Sequence, residues 1–212
     1  MARSLKRNMS AKPYKYLALG DSYTIGTGVP LDKNFPYQVS IKIQNRGFKI
    51  DDPVIIAEQG WTSLNLLQAL EKNPLSDPFD LVTLLIGVND QYNGIKLDYY
   101  RDNFTTLLEK SIQFAGGSTA KVIVLSIPDW SVTPHVESFN REDIRKEINQ
   151  FNQLNKSLTR AQGIAYQDIT WVSHQAADNK SLLVGDGLHP SADMYNIWAD
   201  LILPTALDII LK

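Results

Sequence analysis

Five short runs rich in β-branched and aliphatic residues recur along the chain, and segments with helical spacing separate them. Parallel strands need a crossover connection, which is usually a helix. The alternation of strand and helix is therefore typical of a parallel sheet that is covered by helices, and it predicts an α/β fold. The predicted strands are 16–19, 54–57, 81–86, 121–126 and 164–168.

The segments between these runs carry helical patterns of different clarity. Residues 97–112 place apolar side chains on one face and stop at Gly116, and residues 144–161 repeat that pattern. The segment 36–47 alternates apolar and polar residues as an edge strand would, but its place between two parallel strands favours a helix. A last helix is predicted to begin after Ser191, whose side chain can cap it.

Composition limits the class of protein. The 212 residues are 43% hydrophobic, enough for one sizeable core, so we expect a single domain over 1–212 with 1–13 as a flexible tail. The formal net charge of −2 gives no field that would attract nucleic acid or an anionic membrane. The chain has no cysteine, which excludes disulfides, thiolate nucleophiles and cysteine-ligated zinc.

The two ends of the sequence show no targeting or membrane signal. Residues 1–15 are basic but lack the apolar core of a secretory signal, so a cytoplasmic location is the default expectation. The apolar run 197–211 is interrupted by Asp200, Pro204 and Asp208, and it is shorter than the stretch of about 20 residues that spans a bilayer. We expect no stable membrane anchor, and the sequence predicts no particular oligomeric state.

Glycines and polar residues follow several of the predicted strands. The carboxyl ends of parallel strands lie at one edge of a sheet, and ligands bind at that edge. We therefore expect four short clusters to meet there. They are Gly20-Asp21-Ser22, Gln59-Gly60-Trp61, Gly87-Val88-Asn89-Asp90 and Asp186-Gly187-Leu188-His189-Pro190.

These clusters contain the groups that acyl transfer needs. Serine is a weak nucleophile near neutral pH, so Ser22 requires a base such as His189 to accept its proton. Asp186 lies three residues before the imidazole, where it can orient the ring and stabilise the imidazolium. The backbone N–H groups of Ser22 and Gly60 and the side-chain amide of Asn89 can receive the charge of a tetrahedral intermediate. The sequence thus predicts a catalytic triad and an oxyanion hole.

With these four clusters in this order, the sequence resembles the SGNH hydrolases, also called GDSL esterases and lipases, over nearly the whole chain. The resemblance implies a flavodoxin-like three-layer α/β/α sandwich with a five-stranded parallel sheet. It also implies hydrolysis of small-molecule esters by a serine, without a metal or another cofactor. The namesake residues are then Ser22, Gly60, Asn89 and His189, and Asp186 completes the triad.

Substrate choice is less well specified than the chemistry. Tyr23 stands where a leucine gives the family its four-letter name, a position that varies among relatives. The compact length and the sequence around Asn89 resemble the lysophospholipase and acyl-thioesterase-like branch. The loops 90–97 and 128–140 are expected to shape an acyl pocket, and four aromatic residues after strand ends predict an aromatic rim for it. Those residues are Tyr23, Trp61, Tyr92 and Trp130.

The other acids and histidines near the clusters are interpreted as supporting or surface residues. Asp21 and Asp90 are expected to make local hydrogen bonds that hold their loops. His135 follows a proline and has no acid nearby in sequence, so we interpret it as a loop residue. His174 lies near Asp178, and its polar surroundings predict a solvated turn.

Three other functions stay open from the sequence. A carbohydrate acetylesterase would carry the same four clusters, and so would an inactive relative that binds esters or glycans. A flavodoxin-like binding module could instead hold a phosphate on backbone N–H groups near Gly26 and Gly28, although the loop has neither a P-loop lysine nor GxGxxG spacing. The G-x-S-x-G motif of α/β-hydrolases does not fit, because Thr24 occupies its second glycine position.

Overall fold

The computed structural model describes residues 12–72, 75 and 78–212. Five strands form one sheet in which every pairing is parallel, which confirms the predicted strands and the α/β fold. The predicted tail 1–13 lies outside the described residues except for its last two positions. The strands are β1 (Tyr16–Gly20), β2 (Val54–Ala57), β3 (Leu81–Leu85), β4 (Val122–Leu125) and β5 (Ala165–Gln167), and their spatial order is β2-β1-β3-β4-β5.

Helices fill the connections between the strands. Residues 97–112 and 144–161 are helical as predicted, and short helices directly follow β1 and lie just beyond β3. In the described part of the chain the α-helices are α1 (Ser22–Ile25), α2 (Phe35–Asn45), α3 (Ser63–Lys72), α4 (Val88–Tyr92), α5 (Leu97–Phe114), α6 (Arg141–Ala161), α7 (Thr170–His174) and α8 (Ala192–Ile210).

The strand order explains which helices share a face of the sheet. The chain runs outwards from β1 to β2 and then back past β1 to β3, so right-handed crossovers put α2 on one face and α3, α5 and α6 on the other. The packing agrees, because α2 contacts α8, whereas α3 contacts α5 and α5 contacts α6. The result is the predicted flavodoxin-like three-layer sandwich.

The ambiguous segment 36–47 is the helix α2. Asn34 caps it by accepting a hydrogen bond from the Tyr37 backbone N–H at 3.0 Å. Val39 and Ile43 are fully buried on one side of this helix, which packs against α8. Ile41, which made the segment resemble a strand, is exposed. The topological argument for a crossover helix is therefore confirmed.

The apolar run at the C-terminal end forms most of α8. Ser191 caps this helix as predicted. Its hydroxyl oxygen accepts a hydrogen bond from the Met194 backbone nitrogen at 3.5 Å. Trp198 and Ile202 are fully buried, so the run belongs to the core. Among the described residues, no helix combines the length and the apolar character needed to cross a bilayer.

The strand order also locates a crevice. The connection from β1 leads to one side of the sheet and the connection from β3 leads to the other, so the boundary between these two neighbouring strands is the switch point outside whose carboxyl ends a ligand site opens. Both β1 and its neighbour β3 are buried at every residue, which gives the crevice a rigid base. Ser22 begins the helix directly after β1, and Asn89 lies in the first turn of the helix after β3.

Candidate active site

A cavity of about 140 Å³ lies at this edge of the sheet. Residues from all four predicted clusters line it, together with residues from the loop after β4. Its walls are mainly apolar and aromatic, with a few polar side chains among them. The lining residues are Ser22, Tyr23, Gln59, Gly60, Val88, Asn89, Tyr92, Trp130, His135, Leu188 and His189.

A tight turn after β1 presents Ser22 to the cavity. Asp21 caps α1 by accepting a hydrogen bond from the Tyr23 backbone N–H at 3.0 Å. Gly20 ends the strand where a side chain would not fit, because a Cβ atom there would lie 2.1 Å from the Thr24 Oγ1 and 2.4 Å from the Leu85 carbonyl oxygen. The GDS sequence thus makes a crowded strand-to-helix turn, and the serine is its first helical residue.

His189 and Asp186 form a close pair within one turn. The imidazole Nδ1 lies 2.6 Å from the Asp186 Oδ2, and the other carboxylate oxygen accepts the backbone N–H groups of Leu188 (2.8 Å) and His189 (2.9 Å). Burial on its own would raise the pKa of Asp186, but the hydrogen bonds from His189 and Leu188 outweigh it and lower that pKa. The acid is therefore a carboxylate at neutral pH.

The charge of Asp186 decides the tautomer of the neutral imidazole. A carboxylate can only accept a hydrogen bond, so Nδ1 of His189 carries the proton and donates it. The lone pair of the neutral ring is then on Nε2. His189 lines the same cavity as Ser22, which makes Nε2 suitable as a general base.

The imidazole is held from several sides. The Tyr23 ring packs against it with a centroid distance of 5.3 Å. The backbone around it is also fixed, since the Val184 N–H donates to the His189 carbonyl oxygen at 2.9 Å. Gly187 adopts a φ of +68°, a left-handed conformation that closes the turn between the acid and the imidazole. Tyr23 was predicted for the rim of the cavity. Its side chain is buried next to the His189 imidazole and forms part of the cavity wall.

The two predicted oxyanion donors beyond the serine also line the cavity. Gly60 has a φ of +80°, and apart from its chain neighbours no atom lies within 4 Å of the position that its Cβ would occupy. Asn89 donates from Nδ2 to the Trp61 carbonyl oxygen at 2.9 Å. Since an amide nitrogen carries two hydrogens, this bond orients the side chain and leaves one N–H for a ligand.

The aromatic rim differs in part from the prediction. Tyr92 and Trp130 line the cavity and contact each other at a centroid distance of 5.4 Å, and Phe139 packs against both. Trp61 is not among the lining residues. Its side chain is partly buried against the core, and its carbonyl holds Asn89.

His135 reaches the site although the sequence identified it only as a loop residue. It lies in the 3₁₀ segment Pro134–Ser138, where it lines the cavity and packs against Tyr92 (6.3 Å) and Trp130 (6.1 Å). The available signal was its place within the loop 128–140, which was predicted to shape the pocket. Position in the loop was therefore more informative than the absence of a nearby acid.

His174 is exposed, as the prediction of a solvated turn implies, but it lies in a helix and the prediction missed its partner acid. The residue ends α7, and its Nε2 lies 2.9 Å from Oδ2 of Asp129, a carboxylate that is almost fully buried. Arg145 adds a longer contact, with its Nε 3.6 Å from the same oxygen. The error arose because the partner is 45 residues away in sequence, whereas only Asp178 was nearby.

Asp21 and Asp90, which adjoin Ser22 and Asn89, differ in how far along the chain their hydrogen-bond partners lie. Asp21 makes the local hydrogen bond that was expected, to the Tyr23 backbone. Burial raises the pKa of Asp21 to about 8. The hydrogen bond from the Tyr23 backbone lowers this pKa, and the negative charge of Asp90 raises it. Asp90 reaches further along the chain than expected, because its carboxylate accepts hydrogen bonds from the backbone N–H and the hydroxyl of Ser63, 27 residues earlier.

The loop proposed for phosphate binding is packed against the protein itself. A Cβ atom at Gly26 would lie 2.5 Å from the Asn34 Cβ, and one at Gly28 would lie 2.7 Å from Cγ2 of Val184. These glycines therefore allow close contact with the protein's own chain, and the Gly26 N–H already donates to the Ser22 carbonyl oxygen at 3.0 Å. Within the described residues, no group of three or more His, Cys, Asp or Glu side chains is arranged to hold a metal ion.

Comparison with known families gives an independent result. Residues 18–197 match the model of the GDSL-like lipase/acylhydrolase family, a span that contains all four clusters. The chain belongs to this family. Proteins of this family are carboxylic ester hydrolases, and the family assignment extends to this chain. A catalytic triad and an oxyanion hole are features of the family.

Solved structures show the same GDSL hydrolase fold. TesA superimposes with a TM-score of 0.71 at 18% identity, covering 92% of this chain and 99% of its own. The acetylxylan esterase Axe2 of Geobacillus stearothermophilus gives 0.70 at 17% identity, covering 91% and 94%. The psychrotrophic esterase EstA of a Pseudoalteromonas species gives 0.66 at 17% identity, covering 94% and 100%. No curated protein matches the sequence.

Proposed function

We propose that this GDSL-family hydrolase is a serine esterase that forms an acyl-enzyme on Ser22. The observation that carries the proposal is the convergence in one cavity of Ser22, His189, Gly60 and Asn89, with the imidazole bonded to Asp186 through Nδ1. This arrangement supplies a nucleophile, a general base with its orienting carboxylate, and donors for an oxyanion, which are the groups that acyl transfer requires. A catalytic mutant of Axe2 in which a serine is replaced by alanine is consistent with a serine mechanism in the fold.

The acylation step follows from the tautomer of His189. The hydroxyl proton of Ser22 moves to Nε2 as Oγ bonds to the ester carbonyl carbon, and the carbonyl oxygen takes the negative charge. The backbone N–H groups of Ser22 and Gly60 and the free N–H of Asn89 stabilise that charge. When the C=O bond re-forms, the bond to the alcohol oxygen breaks, and this oxygen takes the proton from His189.

Deacylation repeats these transfers with water. The neutral imidazole accepts a proton from water as its oxygen bonds to the acyl carbon, and the same donors stabilise the second tetrahedral intermediate. Its collapse releases the carboxylic acid, and Ser22 recovers its proton from His189. Asp186 stays ionised throughout and stabilises the imidazolium at each stage.

The cavity favours a short acyl group. Its volume of about 140 Å³ is below the roughly 300–1,000 Å³ of pockets that enclose drug-sized ligands. Apolar contacts from Val88 and Leu188 suit an acetyl or similarly short chain, whereas a long lipid chain would extend beyond the cavity. The exposed Tyr92 and Phe139 rings beside the cavity favour a second candidate within the same chemistry, a carbohydrate acetylesterase, as Axe2 is an acetylxylan esterase.

Hydrolysis of a series of p-nitrophenyl esters from acetyl to palmitoyl tests this proposal. We expect kcat/KM to be highest for the shortest acyl groups, and Ser22→Ala to abolish turnover of all of them. Ser118→Ala is a matched control, because this serine precedes β4 at the opposite end of the sheet. Highest kcat/KM for long chains would contradict the short-acyl proposal, and turnover by the Ser22→Ala variant would contradict the mechanism.

A further inference from the structure

A buried carboxylate connects the two loops that carry the candidate oxyanion donors. Oδ2 of Asp90 accepts the Ser63 backbone N–H at 2.8 Å, and Oδ1 accepts the Ser63 hydroxyl at 2.6 Å. Both residues are almost completely buried. Asp90 directly follows Asn89, and Ser63 lies three residues after Gly60. The link therefore joins the immediate neighbourhoods of the two donors.

A third hydrogen bond, made by the neighbouring residue Asn89, adds a separate point of attachment. The Asn89 amide donates to the Trp61 carbonyl oxygen at 2.9 Å, so consecutive residues of α4 hold the loop that contains Gly60 at two separate points. Asn103 on α5 also holds Ser63 in place, because its side-chain amide donates a hydrogen bond to the Ser63 hydroxyl oxygen at 3.1 Å. One point alone would act as a hinge, whereas two points fix both distance and orientation.

Asp90 accepts two hydrogen bonds from Ser63, a role that a carboxylate side chain can fill. Ser63 is the first residue of α3, and its backbone N–H has no partner within the helix, so an anionic acceptor completes the helix end. Burial holds the pKa of Asp90 above its ordinary value, and the two hydrogen bonds from Ser63 reduce that rise. Asp90 is not among the residues that line the cavity, so it has no direct contact with a substrate there.

We propose that Asp90 is a positioning residue that sets the separation between the Gly60 N–H and the Asn89 amide through its bonds to Ser63. The inference rests on the proposed function, because it assumes that these two groups stabilise an oxyanion. Donors act only when they lie close to where the oxyanion forms, and a displacement of about 1 Å can cost about 10²-fold in rate. Loss of the link should therefore reduce kcat with little change in KM.

Three variants separate the contributions of the link. Asp90→Ala removes both hydrogen bonds, and we expect kcat for p-nitrophenyl acetate to fall by about 10- to 100-fold. Ser63→Ala removes only the hydroxyl bond, so its loss should be smaller. Asp90→Asn should recover most of the activity, because an amide can accept the backbone N–H and donate to the hydroxyl oxygen of Ser63 after that hydroxyl rotates.

A control variant removes a carboxylate of similar structural role far from the site. Asp80 accepts the Lys15 backbone N–H at 3.0 Å and pairs with Lys121 at 3.3 Å, near the amino ends of β1 and β4. Asp80→Ala should change stability with kcat near the wild-type value. Thermal unfolding of each variant reports whether it is folded, and Ser63→Ala and Asp90→Asn carry the test if Asp90→Ala does not fold.

The decisive measurement is a double-mutant cycle with Asn89→Ala. If Asp90 acts through the oxyanion donors, removal of its link should cost much less once Asn89 is gone, so the two losses in kcat should not multiply. Fully multiplicative losses, an effect on KM alone, or wild-type kcat in both Asp90→Ala and Ser63→Ala would overturn the proposal. Turnover by Ser22→Ala would instead refute the esterase mechanism itself, so the two failures are distinguishable.

Discussion

Two histidines in this protein bind a carboxylate, and they do so in opposite ways. His189 uses Nδ1, at 2.6 Å from Asp186, and its side chain is only 7% exposed whereas the acid is 41% exposed. His174 uses Nε2, at 2.9 Å from Asp129, and here the imidazole is 49% exposed while the acid is 1% exposed. In the first pair the imidazole is buried, and in the second pair the carboxylate is buried.

The difference shows that a His–Asp pair is not by itself a catalytic pair. In His189 the bond through Nδ1 leaves Nε2 available, and the ring lines the cavity together with Ser22. In His174 the carboxylate occupies Nε2, and the ring does not line that cavity. Asp129 is also close to Arg145 and accepts the Ser131 backbone N–H at 2.9 Å, which anchors the loop after β4. We interpret the second pair as structural.

The largest expected effect separates the two imidazoles directly. His189→Ala should lower kcat/KM for p-nitrophenyl acetate by at least about 10⁴-fold, because the base and the proton donor are lost together. His174→Ala is the matched control and should stay close to the wild-type value. Equal losses in the two variants, measured by initial rates, would show that the distinction is wrong.

The next effect separates the two acids. Asp186→Asn should lower kcat by about 10⁴-fold, since the amide no longer fixes the tautomer or stabilises the imidazolium. Initial rates with p-nitrophenyl acetate measure this loss, and a kcat near the wild-type value would contradict the place of Asp186 in the triad.

Asp129→Asn should instead act on stability. We expect kcat near the wild-type value and a loss of about 1–3 kcal/mol in the free energy of unfolding, as buried hydrogen bonds are weakened. Denaturant unfolding and initial rates measured on the same samples check both expectations. A large loss of kcat with unchanged stability would assign Asp129 to the active site.

A smaller effect comes from the oxyanion side of the cavity. Asn89→Ala should lower kcat by about 10²- to 10³-fold, or roughly 2.7–4 kcal/mol, with KM little changed, because the amide acts on charge that exists only in the transition state. The pH dependence of kcat/KM should stay as in the wild type, since the His189–Asp186 pair is untouched. A raised KM with normal kcat would make Asn89 a ground-state contact instead.

Asp21 sharpens the comparison, because this acid of the site has no imidazole partner. Burial raises its pKa to about 8, whereas an unfolded aspartate titrates near 3.9. Folding thus favours the neutral acid, and the resulting stability is present below about pH 3.9 and is lost as the pH rises through about 8. The Tm of Asp21→Asn minus that of the wild type should therefore grow between about pH 5 and about pH 8. A pH-independent difference would mean that Asp21 does not titrate in this range.

The sequence was sufficient wherever a role depends on local chain geometry. The strands and the turn after β1 follow from apolar runs and glycines, and Asp186 lies three residues before its partner His189. Relationships across the fold were not visible, because two residues that are distant in sequence give no pattern. His174 and Asp129 are 45 positions apart, and Asp90 reaches Ser63 across 27.

The pocket wall shows the same limit. The loop 128–140 was correctly expected to shape the cavity, but no sequence pattern indicated which of its side chains face inwards. His135 lines the cavity, whereas Trp61, one of the four aromatic residues predicted for the rim, does not. His135 lies in a short 3₁₀ segment, which has no clear apolar period, and Trp61 lies outside the described helices and strands.

Reaction with a fluorophosphonate probe tests the central claim, that His189 activates Ser22, most directly. We expect the probe to add to the peptide containing Ser22, to leave Ser22→Ala unlabelled, and to react far more slowly with His189→Ala than with His174→Ala. Labelling of Ser22→Ala, or equal labelling rates in the two histidine variants, would contradict the account.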